Sequence, residues 1–298
     1  MSEQSGTNLS EPESAAFADR LLEWSSNNFC ELPWRRHRSP YEILVAELLL
    51  KRTTATAVAR VYEDFLAQFP TIQDLASARE QELVQALSGL GLQRQRARAM
   101  KHLADWILTS EAGSIPNDIE RLLQVPGLGS YSASAILSFG FDIPAAILDA
   151  NVERILFRMF SNRLTTRPSQ LILNEIAQQL LPVDKHREYN FGLLDLGRLV
   201  CRYVHPKCGE CPLSSTCDFY NSTSPVVIRE EPGQYNAEPV NKLRSIRLDK
   251  GLSLQRLAEV ASVSKLTIIR IESGRSSPRR ETLVKLANAL GVSLDQLT

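Results

Sequence analysis

The sequence predicts an all-α protein with a large helical body and a small second helical domain. Apolar residues recur at helical spacing through most of the 298 residues, and no convincing alternation predicts a strand. Residues 221–239, rich in Ser, Pro, Glu and Gly, are typical of a linker. Because single cores stop growing below this length, we expect domains at 14–220 and 240–298, preceded by a disordered tail at 1–13.

Composition and charge narrow the class of protein. The chain has 34 Lys+Arg and 34 Asp+Glu, and this net charge of zero argues against a protein that coats a polyanion. The charge is uneven, however, since 240–298 is basic and the body is acidic, which would offer a nucleic acid a basic appendage. The polar N-terminus and the short apolar runs predict a cytoplasmic protein without membrane contact, and the basic appendage predicts association with the nucleoid.

Helical periodicity and its stop signals define the elements of the body in order. Helices are predicted at 15–28, 41–50, 56–69, 72–87, 93–109, 118–124, 168–181 and 187–200. Residues 31–40 are predicted to be an irregular connection, with Pro40 in the first turn of the next helix. Proline and glycine separate the later helices.

A single carboxylate, Glu47, interrupts the nearly all-apolar helix predicted at 41–50. Charged side chains are rarely buried without a purpose, which makes Glu47 a candidate functional residue. A narrow solvent-facing side of the helix explains the pattern equally well, and the two interpretations stay open at this point.

A glycine hairpin and a following carboxylate form the centre of the body. The hairpin residues are Pro126, Gly127, Leu128 and Gly129. Two glycines allow a tight turn with positive φ, and the helix that begins at Ser130 would direct free N–H groups towards an anion such as a phosphate. A plain turn between helices is the alternative. Asp149 stands at the start of the next helix.

Four of the five cysteines lie close together near the end of the body. They are spaced C-x6-C-x2-C-x5-C at Cys201, Cys208, Cys211 and Cys217. Such a cluster indicates a metal site in a reducing compartment rather than a set of disulfides. Zinc loops tend to pair two C-x2-C turns, whereas one compact loop suits a 4Fe-4S cluster, which we favour over zinc. Cys30 is expected to be an ordinary buried thiol.

Taken together, these features resemble the helix-hairpin-helix DNA glycosylases of the endonuclease III superfamily over about 14–220. VPGLGSYSASAI resembles the hairpin motif, LDANVERILFR the catalytic-aspartate segment and CRYVHPKCGECPLSSTC the iron–sulfur loop. The resemblance implies a six-helix lobe at about 35–140 and a cluster lobe at 14–34 plus 141–220. A mismatched or damaged base would be flipped from double-stranded DNA into the cleft between them.

The resemblance also implies catalytic roles for three residues. Asp149 would stabilise the sugar cation or direct a water molecule, and Glu47 would donate a proton to the departing base. Tyr131 occupies the position at which the bifunctional branch has a lysine that forms a Schiff base. The resemblance therefore implies a monofunctional glycosylase without lyase activity, with Tyr131 lining the pocket.

Two further positions match residues that relatives insert into the duplex, namely Arg52 and Leu92. The segments 51–54 and 90–97 resemble the thymine/guanine branch, which implies removal of thymine or uracil opposite guanine in base excision repair. One alternative is an adenine glycosylase acting opposite oxidised guanine. Another is a DNA-binding regulator or defence protein that acts on a modified base.

The C-terminal domain resembles the five-helix Cro/repressor-type helix-turn-helix domains. Its recognition helix would present Lys265, Thr267 and Arg270 to the major groove. Leu254 and Ser262 replace the usual glutamine and turn glycine. Dimerisation or contact with a partner protein is therefore the alternative to DNA anchoring.

Overall fold

A computed structural model of the chain describes residues 8–36, 39–164, 168–222, 243, 246–247, 250, 252, 254–264, 267–268, 271 and 280–292. The chain divides into two compact units, Met1–Val227 and Ile228–Thr298. All regular elements of the described residues are helical, which confirms the predicted all-α class. The exact domain and lobe boundaries given above remain predictions.

The first unit consists of short helices joined by tight turns. They are α1 (Glu11–Asn28), α2 (Pro33–Arg36), α3 (Pro40–Leu50), α4 (Ala55–Ala59), α5 (Tyr62–Gln68), α6 (Ile72–Ser77), α7 (Glu80–Ala86), α8 (Gln93–Ser110), α9 (Ile119–Gln124), α10 (Ser130–Ala135), α11 (Ala150–Met159), α12 (Gln170–Gln179), α13 (His186–Leu199) and α14 (Asp218–Asn221). Helix α10 continues as a π-helical turn, Ile136–Gly140. Three 3-10 turns lie at Val183–Lys185, Cys208–Glu210 and Ser214–Thr216.

Helix α3, which carries Glu47, begins at a capping box formed by Ser39 and Glu42. The Ser39 hydroxyl accepts the N–H of Glu42 at 3.2 Å, and the Glu42 carboxylate accepts the N–H of Ser39 at 3.1 Å. This reciprocal capping satisfies two N–H groups that the helix leaves without partners. Pro40 occupies the first turn, as predicted.

Two predicted boundaries near the N-terminus are wrong. The disordered tail expected at 1–13 overlaps a helix, because 11–13 form the start of α1, which has a capping box between Ser10 and Glu13. The connection expected at 31–40 contains α2, whose Trp34 is buried. Burial of this large ring stabilises a turn that the local sequence does not predict.

Two predicted helices are each divided in the structure. The helix expected at 56–69 breaks where the N–H of Val61 bonds to Val58, three residues earlier instead of four. The helix expected at 72–87 breaks at Ala78, whose carbonyl accepts a 2.9 Å hydrogen bond from Lys101. Such tertiary partners satisfy the carbonyls of a helix end and thereby allow the break.

One continuous apolar core holds the first unit together, from Phe17 to Cys217. Helix α1 packs on α13, α6 and α7 pack on α8, and α11 packs on α13. Helix α3 packs on the π-helical turn, where a Cβ on Gly140 would lie 2.8 Å from the Cα of Pro40. Since real Cβ atoms do not approach a backbone so closely, glycine is required at this contact.

The second unit has its own core. Helices α15 (Leu254–Ala261) and α16 (Arg280–Leu290) pack together. Its buried apolar residues are Leu243, Leu257, Ala261, Ile268, Ile271, Leu286, Ala287 and Leu290. Across the part of the chain that the structure describes, no helix is both long and apolar enough to cross a membrane.

Candidate active site

Three of the predicted site residues meet in one cavity of about 400 Å³. Glu47 lies on α3, Tyr131 lies on α10, and Asp149 is the residue that precedes α11. The walls combine side chains from both segments that were expected to form separate lobes. Residues more than 80 positions apart in sequence, such as Glu47 and Ser132, are thereby brought into hydrogen-bonding contact.

Asp149 is held rigidly as the N-cap of α11. Its Oδ1 accepts the backbone N–H groups of Asn151 at 2.9 Å and Val152 at 2.8 Å, and its Oδ2 accepts the side-chain amide of Asn151 at 2.8 Å. These donors and the positive end of the helix dipole stabilise the carboxylate. Asp149 therefore offers a fixed negative charge to the cavity.

Glu47 is buried, with 6% of its surface exposed, so a position on a solvent-facing side of α3 is wrong. Burial raises the pKa of its carboxyl to about 7, and the charge of Asp149 acts in the same direction. The Ser132 hydroxyl, which donates to Oε2 at 3.2 Å, opposes that rise. Near neutral pH the carboxyl is therefore suited to both holding and donating a proton.

Tyr131 lies in the wall of the same cavity as Glu47. Burial, followed by the nearby charges of Glu47 and Asp149, raises the pKa of the Tyr131 hydroxyl well above its usual value. The hydroxyl consequently keeps its proton and serves as a donor. It provides no amine that could form a Schiff base.

The hairpin turns as predicted, although only one of its glycines needs a left-handed conformation. Gly127 has a φ of 82° and Gly129 a φ of −111°. The carbonyl of Gly127 accepts a hydrogen bond from the Lys51 ammonium, which ties the hairpin to the end of α3. A Cβ on Gly129 would meet no protein atom within 4 Å, and this side of the hairpin is open to a ligand. Leu128 is buried and Ser130 begins α10.

Sequence reasoning missed an ion pair in the cavity wall. Arg35 binds Asp195 through two hydrogen bonds, at 2.6 Å and 3.0 Å, and its guanidinium lies 4.6 Å from the ring centre of Phe191. The Nε of Arg35 is buried and has no hydrogen-bond partner. An arginine in an apparent loop and an aspartate on a predicted helix both resemble solvated surface residues, and only the adjacent Trp34 hinted at burial.

Comparisons with known proteins decide the family. The family described as "HhH-GPD superfamily base excision DNA repair protein" matches residues 45–182. A thymine-DNA glycosylase of Aeropyrum pernix is 40% identical over 215 residues, which cover 70% of this chain and 95% of that protein. This chain belongs to the HhH-GPD superfamily. The resemblance inferred from the sequence motifs is thereby confirmed.

The other relatives of this HhH-GPD protein include thymine/uracil-DNA glycosylases and adenine DNA glycosylases. A thymine/uracil-DNA glycosylase of Methanothermobacter thermautotrophicus is 32% identical, over 70% of this chain and 95% of that protein. The human adenine DNA glycosylase is 33% identical, but the match covers only 39% of its length and 69% of this chain. A solved thermostable thymine-DNA glycosylase superposes with a TM-score of 0.67 at 32% identity, over 70% of this chain and 96% of that one.

The cysteine loop of the HhH-GPD unit is tied to Asp149 by a chain of hydrogen bonds. Arg154 donates to the side-chain oxygen of Asn151 at 2.9 Å and to the carbonyl of Cys201 at 2.8 Å. Asn151 in turn donates to Asp149. The position of Asp149 therefore depends on the position of the loop.

The four cysteines of this loop lie close enough for their charges to interact. Burial raises the pKa of Cys211 to about 11, and the neighbouring thiols add to the rise. A second cation, Arg158, donates to the sulfur of Cys201 at 3.4 Å. Within the described ranges, no three His, Cys, Asp or Glu groups converge closely enough to hold one metal ion. Cys30 is half-buried in a different segment.

The remaining predicted contacts lie at two places. The side chains of Arg52 and Leu92 are both exposed. The exposed fraction of Leu92 is 51%, so this leucine does not belong to the core. In the unit that matches the helix-turn-helix family at 243–297, Ser264 caps the N–H of Thr267 at 3.0 Å. Lys265 and Arg270 lie outside the described residues.

Proposed function

We propose that this HhH-GPD protein is a monofunctional DNA glycosylase that removes thymine or uracil opposite guanine from double-stranded DNA. The observation that carries the proposal is the cavity in which Glu47, Tyr131 and Asp149 meet. Its volume of about 400 Å³ suits a small planar ligand such as a flipped base. The thymine- and uracil-specific relatives, which this chain covers almost completely, support the choice of base.

The two carboxyl groups have separate tasks because their surroundings differ. As the N-glycosidic bond breaks, its electron pair stays on the base and the sugar becomes an electron-poor cation. Asp149, fixed by its N-cap hydrogen bonds, stabilises that cation, orients the water whose oxygen bonds to the anomeric carbon, and accepts the proton that this water loses. Glu47, whose pKa lies near 7, gives its proton to the departing base.

Tyr131 supports a reaction that stops at the free base. A lyase step would require an amine that attacks the sugar, and the cavity wall has a phenol at this position. The Tyr131 hydroxyl instead keeps its proton and lines the cavity beside Glu47. The product is therefore an abasic site in an intact strand.

We propose further that Cys201, Cys208, Cys211 and Cys217 hold a 4Fe-4S cluster. Mutually close, partly buried thiols are costly to ionise without a cation, and iron supplies that charge. The four cysteines would each provide one thiolate to the cluster, which would cross-link the loop. Iron and sulfide analysis of the purified protein, together with the visible absorption that thiolate-bound iron produces, tests this assignment. One tightly bound zinc ion without iron would contradict it.

Removal of adenine opposite oxidised guanine is the second candidate, supported by the adenine-specific relatives. A panel of duplexes carrying G·T, G·U, adenine opposite oxidised guanine, and matched pairs separates the two functions. Strands are analysed with and without alkali, which cleaves abasic sites. We expect cleavage at G·T and G·U only after alkali. Release of adenine alone would favour the second candidate, and breaks without alkali would contradict a monofunctional enzyme.

A further inference from the structure

Arg96 on α8 is a buried cation that the proposed chemistry does not use. Only 9% of its surface is exposed. Its guanidinium donates to four backbone carbonyls, those of Leu48 at 3.1 Å, Leu49 at 3.2 Å, Gly91 at 3.1 Å and Lys51. Three of these carbonyls lie at the C-terminal end of α3, and the fourth lies in the turn before α8. Arg96 thus joins two segments that are distant in sequence.

The end of α3 is a favourable place for this cation. The last carbonyls of a helix have no partner within the helix, and they carry the negative end of its dipole. A forked guanidinium can satisfy several of them at once, which a lysine ammonium on a flexible stem cannot match. The arrangement therefore depends on arginine specifically.

Two of the bound carbonyls directly precede residues with unusual backbone conformations. Arg52 follows Lys51 and Leu92 follows Gly91, and both Arg52 and Leu92 have a φ of 53°. Non-glycine residues seldom adopt this left-handed conformation, and it persists only where surrounding bonds enforce it. A carbonyl lies in the same peptide plane as the nitrogen of the next residue. By binding the carbonyls of Lys51 and Gly91, Arg96 therefore fixes the orientation of the peptide groups that precede Arg52 and Leu92.

We infer that Arg96 is a positioning residue that holds Arg52 and Leu92 as one preorganised unit for opening a base pair. The inference rests on the proposed function and on the resemblance of Arg52 and Leu92 to residues that relatives insert into the duplex when a base is flipped. Both side chains are exposed and available for this role. A unit that is rigid before binding loses less conformational freedom on insertion than two independent loops would.

The test compares excision from paired and unpaired substrates. Arg96→Met removes the donors, and Arg96→Lys keeps only the charge. Single-turnover rates are measured on uracil opposite guanine and on uracil in single-stranded DNA, where no pair has to open. We expect Arg96→Met to lower the paired rate about 10- to 100-fold and the unpaired rate less than about threefold, with Arg96→Lys between. Equal losses on both substrates, or no loss, would overturn the inference.

The matched control is Arg98→Met on the same helix. The Arg98 side chain is 71% exposed and pairs with Glu80 on the surface, and we expect both rates to stay within about threefold of wild type. Unfolding midpoints are recorded for every variant. If Arg96→Met does not fold, the excision rates on paired and unpaired uracil are compared for Arg96→Lys instead.

A double-mutant cycle tests the coupling directly. Leu92→Ala is made in the wild type and in Arg96→Met. If Arg96 positions Leu92, Leu92→Ala should lower the excision rate much less in Arg96→Met than in the wild type, because the Leu92 side chain is already displaced in Arg96→Met. An undiminished effect in both backgrounds would overturn the inference.

One readout separates this inference from the proposed function. In an Asp149→Asn background, a fluorescent adenine analogue beside the mismatch reports base-pair opening without excision. We expect Arg96→Met to reduce the fluorescence rise on binding, and an unchanged rise would overturn the role of Arg96. Failure of the wild type to excise thymine or uracil would instead overturn the proposed function. The fluorescence measurement of base-pair opening would still decide the role of Arg96.

Discussion

At the scale of single residues, the burial of Glu47 makes the stability of the protein depend on pH. Its pKa is raised from 4.5 to about 7, so the folded state binds this proton more tightly than the unfolded state does. The associated stability is fully present below pH 4.5 and is lost as the pH rises through about 7. Above that pH the protein contains a buried carboxylate, whose burial the Ser132 hydroxyl and the charge of Lys51 offset only in part.

Glu47→Gln should therefore stabilise the protein in alkaline solution while abolishing base release. We expect a gain of about 1–3 kcal/mol in the free energy of unfolding at pH 8, and a much smaller change at pH 4.5. Urea unfolding at both pH values measures this difference. Glu120→Gln, which alters an exposed carboxyl on α9, is the control and should change little. A variant that is less stable at pH 8 would contradict the assignment of burial as the main cause.

Asp149→Asn should separate binding from chemistry. An amide can still accept the N–H groups that cap α11, but it lacks the negative charge needed by the sugar cation. We expect base release to fall by at least about 100- to 1,000-fold while affinity for mismatched DNA is kept. Single-turnover kinetics and equilibrium binding on the same duplex measure the two quantities. Undiminished release would contradict the proposed role of Asp149.

At the scale of elements, the hairpin depends on one left-handed glycine. Gly127 has a φ of 82°, and a Cβ at this position would also approach the Lys51 ammonium to 3.9 Å. Gly127→Ala should distort the turn and weaken DNA binding by about 1–2 kcal/mol. Equilibrium binding to a G·T duplex measures the loss, with thermal unfolding as a check on the fold. Gly209→Ala, at a site with neither a left-handed φ nor a neighbouring atom within 4 Å, is the control.

Most helices could be predicted from sequence because periodicity, proline and glycine mark them locally. The divisions between α4 and α5, and between α6 and α7, could not, because partners such as Lys101 come from elsewhere in the fold. Glu47, Tyr131 and Asp149 were identified through motifs. Arg35 and Arg96 were missed, since a charged side chain on an amphipathic segment is usually solvated. Their partners are a distant carboxylate and distant backbone carbonyls.

At the scale of the whole molecule, the two compact units should make separable contributions to DNA binding. A fragment that ends at residue 222 keeps the cavity, the hairpin and the cysteine loop. If the basic C-terminal unit anchors DNA, the fragment should excise bases at the wild-type rate under saturating conditions. It should bind undamaged DNA more weakly and with a smaller salt dependence. Binding titrations at several salt concentrations measure this slope.

An unchanged slope would contradict DNA anchoring by the C-terminal unit. In that case the alternative, association between two copies or with a partner, predicts a change in molecular mass between the full chain and the fragment. Sedimentation of both proteins measures that mass. The sequence alone could not separate these outcomes, because an exposed apolar or basic helix suits either kind of contact.

The contact between Gly140 and Pro40 has a consequence for inherited variation. A single methyl group at position 140 would collide with the first turn of α3, and relief would require that helix to slide or tilt together with Glu47. Position 140 does not line the cavity. In a genetic screen for lost repair, substitutions of Gly140 should nevertheless be found together with substitutions of Asp149. Their defect would not be expected from the residues that line the cavity.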